Sequence, residues 1–176
     1  MSVFHPTVAI ITGQEALDLM VGILQRYDVG HLALNSDDFP YVVPLNHTYQ
    51  DGKLILHGSI DGKKVELMER CRRVCYGVYG TQTPAFKNGE ALRSCSKDYQ
   101  SVVCNGNIRI ENGSAEWREH LAAFAHDFSH KLPEHNDALS TSCFVIDIVE
   151  MTARIAFHPE PKVIYSYRFP PSSPSR

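Results

Sequence analysis

Asp51-Gly52 does more than any other pair of residues to limit what this chain can fold into. It lies in Gln50-Asp51-Gly52-Lys53, between two runs of β-forming residues, Tyr41 to Tyr49 and Leu54 to His57. Asp-Gly between two such runs is a tight hairpin turn, because both residues tolerate positive φ. The two runs are therefore expected to pair antiparallel, which removes a mononucleotide-binding β-α-β unit from consideration. Pro40 opens the first run and Pro44 sits inside it. Proline has no N–H for a ladder, so the strand must be bulged or at an edge there.

The second run empties into His57-Gly58-Ser59, and Gly62-Lys63-Lys64 then opens a short amphipathic helix, about Lys63 to Arg70, with Val65, Leu67 and Met68 apolar. A strand that ends in small residues and a basic helix start is a place to hold a phosphate. The first N–H groups of a helix have no partner within it, and its dipole favours an anion. Ser59 either donates its hydroxyl to that anion or caps the helix.

The remaining elements follow from periodicity. Thr12 and Glu15 fit a capping box, and Ala16, Leu17, Met20, Leu24 and Tyr27 recur at helical spacing, which predicts a helix from about Gln14 to Tyr27. Val29 to Leu34, Arg72 to Tyr79, Tyr99 to Ile110 and Cys143 to Phe157 read as strands, with a bulge expected at Gly106. Ser114 is a good N-cap for a helix from Ala115 to about Ser129, whose apolar face is Trp117, Leu121, Phe124 and Phe128. Thr81 to Ser96 and Lys131 to Ser140 read as connections. Hairpins link the early strands and no regular β-α-β alternation follows. The pattern predicts a mainly β protein with flanking helices, built on an antiparallel barrel of about six strands. One domain is expected over residues 1–169, with a Pro/Ser-rich tail from 170 to 176.

Composition excludes several function classes. The net charge of −3 gives no case for nucleic acid or an anionic membrane. No stretch reaches the ~18 uninterrupted apolar residues of a membrane span, and no signal peptide is expected. Five cysteines, with no Cys-x-x-Cys, suit free thiols in a reducing compartment, hence the cytoplasm. His126 and His130 are spaced like a metal pair, but no third ligand accompanies them, so no metal site is expected. His31 and His47 lie on strands and carry no motif. There is no Gly-x-Ser-x-Gly, P-loop or Rossmann fingerprint.

Taken in order, Val-Gly-His-Leu-Ala-Leu from Val29, Pro-Tyr-Val-Val-Pro-Leu-Asn-His-Thr-Tyr from Pro40, Asp-Gly-Lys-Leu-Ile-Leu-His-Gly-Ser from Asp51, Gly-Lys-Lys-Val-Glu-Leu-Met from Gly62 and Arg-Val-Cys-Tyr from Arg73 resemble the FMN-binding split-barrel superfamily. That superfamily includes pyridoxamine 5′-phosphate oxidase, and the nearest resemblance is to its nitroimidazole-resistance (nitroimidazole reductase) branch. The similarity runs from about Gln14 to Phe157 and includes Cys-Ser-Lys-Asp-Tyr-Gln-Ser from Cys95. The oxidase itself carries Arg-Lys where this chain has Lys63-Lys64. It also has a basic residue at each end of the strand that here runs from Tyr41 to Asn46.

The resemblance implies a six-stranded antiparallel split β-barrel and a homodimer with FMN at its interface. It implies that Tyr41, Val42, Val43, Pro44, Leu45 and Asn46 run beside the isoalloxazine ring, largely through backbone groups. His57, Gly58 and Ser59 would lie near the ring and ribityl chain, Lys63 and Lys64 would hold the phosphate, and Ser101 would approach the ring from another side. The activity implied is an FMN-dependent oxidoreductase that takes electrons from NAD(P)H and passes them to a small acceptor such as a nitroaromatic compound, with His57 as the catalytic candidate. Related split barrels bind haem or deazaflavin, so a non-catalytic flavin- or haem-binding protein is the other reading. The apolar, aromatic segment Val163 to Phe169 is a candidate to reach across the dimer.

Overall fold

The computed structural model describes residues 9–80, 99–127, 141–156 and 163–170. Eight strands and three helices follow in the order β1 (Ala9–Ile11), α1 (Gln14–Arg26), β2 (Val29–Leu34), β3 (Tyr41–Gln50), β4 (Lys53–Ser59), α2 (Lys63–Arg70), β5 (Arg73–Gly80), β6 (Tyr99–Glu111), α3 (Ala115–Asp127), β7 (Thr141–Ala156) and β8 (Val163–Arg168). Strands β7-β4-β3-β2-β5-β6 are consecutive neighbours, and β6 pairs back onto β7. Six antiparallel strands thus close into a barrel, as the sequence predicts.

The hairpin is where Asp51-Gly52 puts it. Both residues have positive φ, 44° and 78°, and Gln50 pairs with Lys53 across the turn. Gly52 N–H donates to the Tyr49 hydroxyl at 3.1 Å.

The barrel closes because β7 is long enough to serve three neighbours. Residues Thr141 to Asp147 pair with β4, Glu150 to Ile155 pair with β8, and Cys143 to Ala156 pair with β6 along the other edge. Sequence reading places the bulge at Gly106. The register does shift there, but the unpaired residue is Val149 of β7, since Asn105 pairs with Glu150 and Gly106 with Ile148. Side-chain parity changes with it. Phe144, Ile146 and Ile148 point into the core before the bulge, and Met151 and Ala153 after it.

Those residues join Leu32, Leu34, Leu54, Leu56, Tyr76, Val102 and Ile108 inside the barrel, and α1 closes it with Ala16, Met20, Ile23 and Leu24. A second, smaller core lies outside, where Trp117 and Leu121 of α3 cover Ile55, Cys143 and Val145. Burial of this kind drives such docking at roughly 25 cal/mol per Å² of apolar surface. A half-buried polar cluster borders it. Glu111, on β6, accepts from Arg109 Nε at 2.8 Å and pairs with His120 Nδ1 at 2.7 Å, and Arg109 also binds Asp147.

Helix starts differ from one another. Ser114 Oγ accepts from Trp117 N–H at 2.9 Å, the expected cap. Ser114→Ala is expected to cost about 1 kcal/mol in urea unfolding. The capping box at Thr12 does not form. Gly13 is the N-cap of α1, with φ 81° and no side-chain cap bond. The arm before α1 contributes β1, which pairs parallel with β8. The segment from Val163, the candidate to reach across a dimer, has its backbone paired with β7 and β1 of its own chain. Phe128, Phe157, the two long connections and residues 171–176 lie outside the described residues.

Candidate functional site

The barrel is split at β3. Its first part, Tyr41 to Asn46, pairs with β2, while only His47 to Gln50 pair with β4. Beyond Leu56, β4 turns away and its last residues, His57 to Ser59, pair with β7 alone. The side of Tyr41–Asn46 facing away from β2 therefore has no strand beside it among the described residues. Pro44 is tolerated because it sits on this open edge, as its missing N–H requires.

Backbone direction on that edge can be assigned. His47 N–H donates to Asp28 C=O at 3.1 Å, on the β2 side. Polar groups alternate along a strand, so Leu45 and Val43 also address β2. Val42, Pro44 and Asn46 address the open edge. It offers two donors, the N–H groups of Val42 and Asn46, and three carbonyl acceptors. Unpaired donors and acceptors on a strand edge are ready to bind a planar polar ligand.

At one end of the edge lies α2. Its N-cap, Gly62, has φ 94° and no side-chain cap; Val65 N–H donates to Gly62 C=O at 2.9 Å, which leaves the N–H groups of Lys63 and Lys64 uncapped by any side chain. Lys63 Nζ lies 5.3 Å from the centre of the Tyr41 ring, a cation–π contact that ties the helix start to the strand start. The Lys64 stem crosses Gly58, where an added Cβ would meet Lys64 Cε at 3.3 Å and Phe144 Cε2 at 3.1 Å. Its Nζ donates to Asp61 C=O at 3.3 Å. Tyr41, Gly58, Ser59, Lys63 and Lys64 are thus brought together.

Ser59 does not cap α2. Its hydroxyl donates to the Asp61 carboxylate at 2.5 Å. Asp61 is the residue that sequence reasoning overlooked here, although it stands in plain view between Ser59 and Gly62. A phosphate at the helix start meets two lysines and open N–H groups, with one carboxylate opposing. The two lysines at the helix start suit an anion, while Ser59 is engaged with Asp61.

Two further features were illegible in the sequence. Ser142, on β7 opposite Gly58, is 1% exposed, and its hydroxyl has no hydrogen-bond partner among the described residues. Its place beside the cradle depends on a pairing between strands more than 80 residues apart. His47 and Tyr76 form a buried pair directly behind the open edge, with ring centres 5.2 Å apart.

His57 and Ser101 stand apart from the cradle. The His57 ring packs edge-to-face on Phe124 of α3, with centres 4.1 Å apart. It points to the side of β4 that carries Ile55, opposite to Leu56. Ser101 lies on β6, paired with Tyr79, and β2 and β5 intervene between it and the open edge. Three strand spacings amount to about 14 Å. Of the free thiols, Cys143 is pushed up to about 12 by burial and by nearby Glu111, so it is inert at neutral pH. Among the described residues no group of His, Cys, Asp or Glu is placed to hold a metal, and His130 lies outside them. No helix among the described residues is long and apolar enough to cross a membrane.

A closed antiparallel barrel, split so that one strand edge opens beside a basic helix start, is the architecture of split-barrel proteins. Within that class the sequence pattern of residues 18–155 matches the family described as pyridoxamine 5′-phosphate oxidase, and the chain belongs to that family. Solved structures share the fold. A protein from Bacteroides thetaiotaomicron assigned to 5-nitroimidazole antibiotic resistance superposes with a TM-score of 0.66 at 20% identity, over 77% of this chain and 81% of its own. A FAD-binding protein from Mesorhizobium loti gives 0.59 at 25% identity, over 79% and 94%. A FAD and heme binding protein from Mycobacterium smegmatis gives 0.62 at 15% identity, over 93% and 88%. No curated protein matches the sequence.

Proposed function

We propose that this protein is an FMN-dependent oxidoreductase. The observation that carries the reading is the continuity of the open β3 edge with the uncapped, two-lysine start of α2, joined by the Lys63–Tyr41 contact. In this reading Lys63, Lys64 and Ser59 hold the phosphate. The backbone from Val42 to Asn46 hydrogen-bonds the polar edge of the ring, and Gly58 leaves room for the Lys64 stem that carries its ammonium to the cradle. Bound flavin would take a hydride from NAD(P)H and pass electrons to a small acceptor such as a nitroaromatic compound. His57, the catalytic candidate of the sequence, is turned to the α3 side of β4 against Phe124 and away from this cradle, so in this reading it transfers no proton there.

A homodimer completes the site. Ser101 is too far round its own barrel to reach its own open edge, so it serves the edge of a second copy. The outer face of β2, β5 and β6 suits such a contact. Val29, Tyr79 and Val103 are exposed on it, and a recess lined by Ala33, Arg73, Cys75, Asn105 and Asn107 adjoins them.

The visible spectrum of freshly purified protein tests the cofactor. Flavin bands are expected; a Soret band without them replaces this reading with a haem carrier, the alternative that the M. smegmatis neighbour's description brings to this fold. Anaerobic NAD(P)H is then expected to bleach the flavin bands. Bands that persist identify a flavin carrier without turnover.

A further inference from the structure

His47 is the residue at which β3 passes from its open edge to its pairing with β4. His47 is 4% exposed and Tyr76 is fully buried. Three short contacts join the two rings to each other and to backbone. His47 Nε2 is 3.1 Å from Leu24 C=O, in the last turn of α1, and Nδ1 is 3.0 Å from the Tyr76 hydroxyl. The Tyr76 hydroxyl in turn donates to Leu45 C=O at 2.7 Å. Both carbonyls only accept. Three contacts need three hydrogens, and a neutral imidazole with one phenol supplies two. Only the imidazolium completes the set. In the neutral state two lone pairs face each other at one of the three contacts.

The contact at Leu45 reaches the open edge through one peptide unit. Leu45 C=O and Asn46 N–H belong to the same trans peptide and point in opposite directions. The carbonyl faces β2 and Tyr76, and the N–H faces the open edge. A hydrogen bond given to the carbonyl polarises the unit and makes the N–H a stronger donor. Gly30 makes room for this arrangement, because a Cβ there would lie 2.6 Å from the Tyr76 hydroxyl.

We propose that His47 and Tyr76 are positioning residues for the open edge. They set the donor strength of Asn46 N–H, and proton binding at His47 is linked to ligand binding at that edge. The ligand part rests on the flavin reading above. The ionisable groups acting on the pair are few. Asp28, in the link from α1 to β2, acts on both rings. Cys104 on β6 faces Tyr76, and burial pushes that thiol up, so it stays neutral. From α1 and β2 the pair otherwise meets backbone groups, the Leu24 carbonyl and Gly30.

The sign of the linkage follows. Burial lowers the His47 pKa, against the upward pull of the Leu24 carbonyl and Asp28. The unfolded chain therefore takes up this proton first, and the contribution to stability falls as pH drops below the ordinary histidine value. A ligand that accepts from Asn46 N–H favours the completed, protonated network. It draws the His47 pKa up and binds more tightly as pH falls through the transition.

Two measurements test this. In the ligand-free protein, nitrogen NMR follows the His47 ring and the Asn46 amide from pH 8 to pH 4. The Asn46 resonance is expected to move with the His47 midpoint and to lose that movement in Tyr76→Phe and in His47→Gln. An Asn46 resonance that stays still through the His47 transition overturns the relay. FMN affinity against pH is the second readout. The unaltered protein is expected to gain about three- to tenfold on the acid side, the equivalent of one hydrogen bond, and both variants to be flat. The same slope in all three proteins overturns the relay and leaves the flavin reading standing. FMN that binds none of them at any pH removes the flavin reading, and the amide measurement still decides the relay.

Discussion

Replacing Lys63 and Lys64 together by alanine is expected to weaken FMN binding about a hundredfold, measured by quenching of flavin fluorescence. A hydrogen bond between charged partners contributes about 1.5–3 kcal/mol, and 1.4 kcal/mol is a factor of ten. Two such bonds give two to four orders of magnitude. The lower figure applies because Lys63 is exposed and its charge is screened by water and salt. The fold should survive. Neither lysine forms an ion pair among the described residues, and only the Lys64 stem, lying across Gly58 and Phe144, contributes packing. Riboflavin is the control ligand. It has no phosphate, so its affinity should hardly differ between the unaltered and double-variant proteins. Equal loss for both ligands would place the lysines at the ring instead, and an unchanged FMN dissociation constant would end the anchoring claim. Lys63→Arg is expected to retain affinity, since a guanidinium also donates to phosphate and stacks on the Tyr41 ring.

That prediction uses only residues within one local stretch, and the local parts of this protein were the legible ones. The hairpin, α2 and the phosphate cradle lie within Tyr41–Arg70, where turn chemistry, alternation and helix-start composition act over a few residues. Helix α2 begins and ends where its pattern says, at Lys63 and Arg70. The open edge was half legible. Pro44 demanded an unpaired side, but nothing local says that β4 leaves β3 at Leu56 to follow β7. Ser142 and the His47–Tyr76 pair were illegible for the same reason. Each owes its place to strands brought together by barrel closure, and a serine or histidine on a strand carries no mark of its distant neighbour. Thr12 shows the converse failure. The capping-box pattern was present, yet Gly13 with its positive φ took the N-cap position.

Barrel closure leads to the largest stability effect we expect. Gly106→Ala should cost about 1–3 kcal/mol in urea unfolding, the range of overpacked sites. A Cβ at Gly106 would lie 2.4 Å from the Asp147 carbonyl oxygen and 2.7 Å from Ile146 Cγ2. The first obstacle is backbone, so no rotamer change removes it. Asp147 is fixed in turn, because it pairs with Lys53 on one side and Asn107 on the other, and its carboxylate holds Arg109. The strain falls on the seam that closes the barrel, at the bulge that lets β7 change parity. If the added methyl group pushes the strands apart there, Ile148 and Met151 can no longer both face the core. Gly77→Ala on β5 is the matched control. A Cβ there meets nothing within 4 Å, so it should change stability by less than about 0.5 kcal/mol. Equal, small effects at both positions would mean that the seam yields. Gly106 would then be an incidental residue at the bulge, and register would have to be held by the Arg109–Asp147 pair and the core residues on either side.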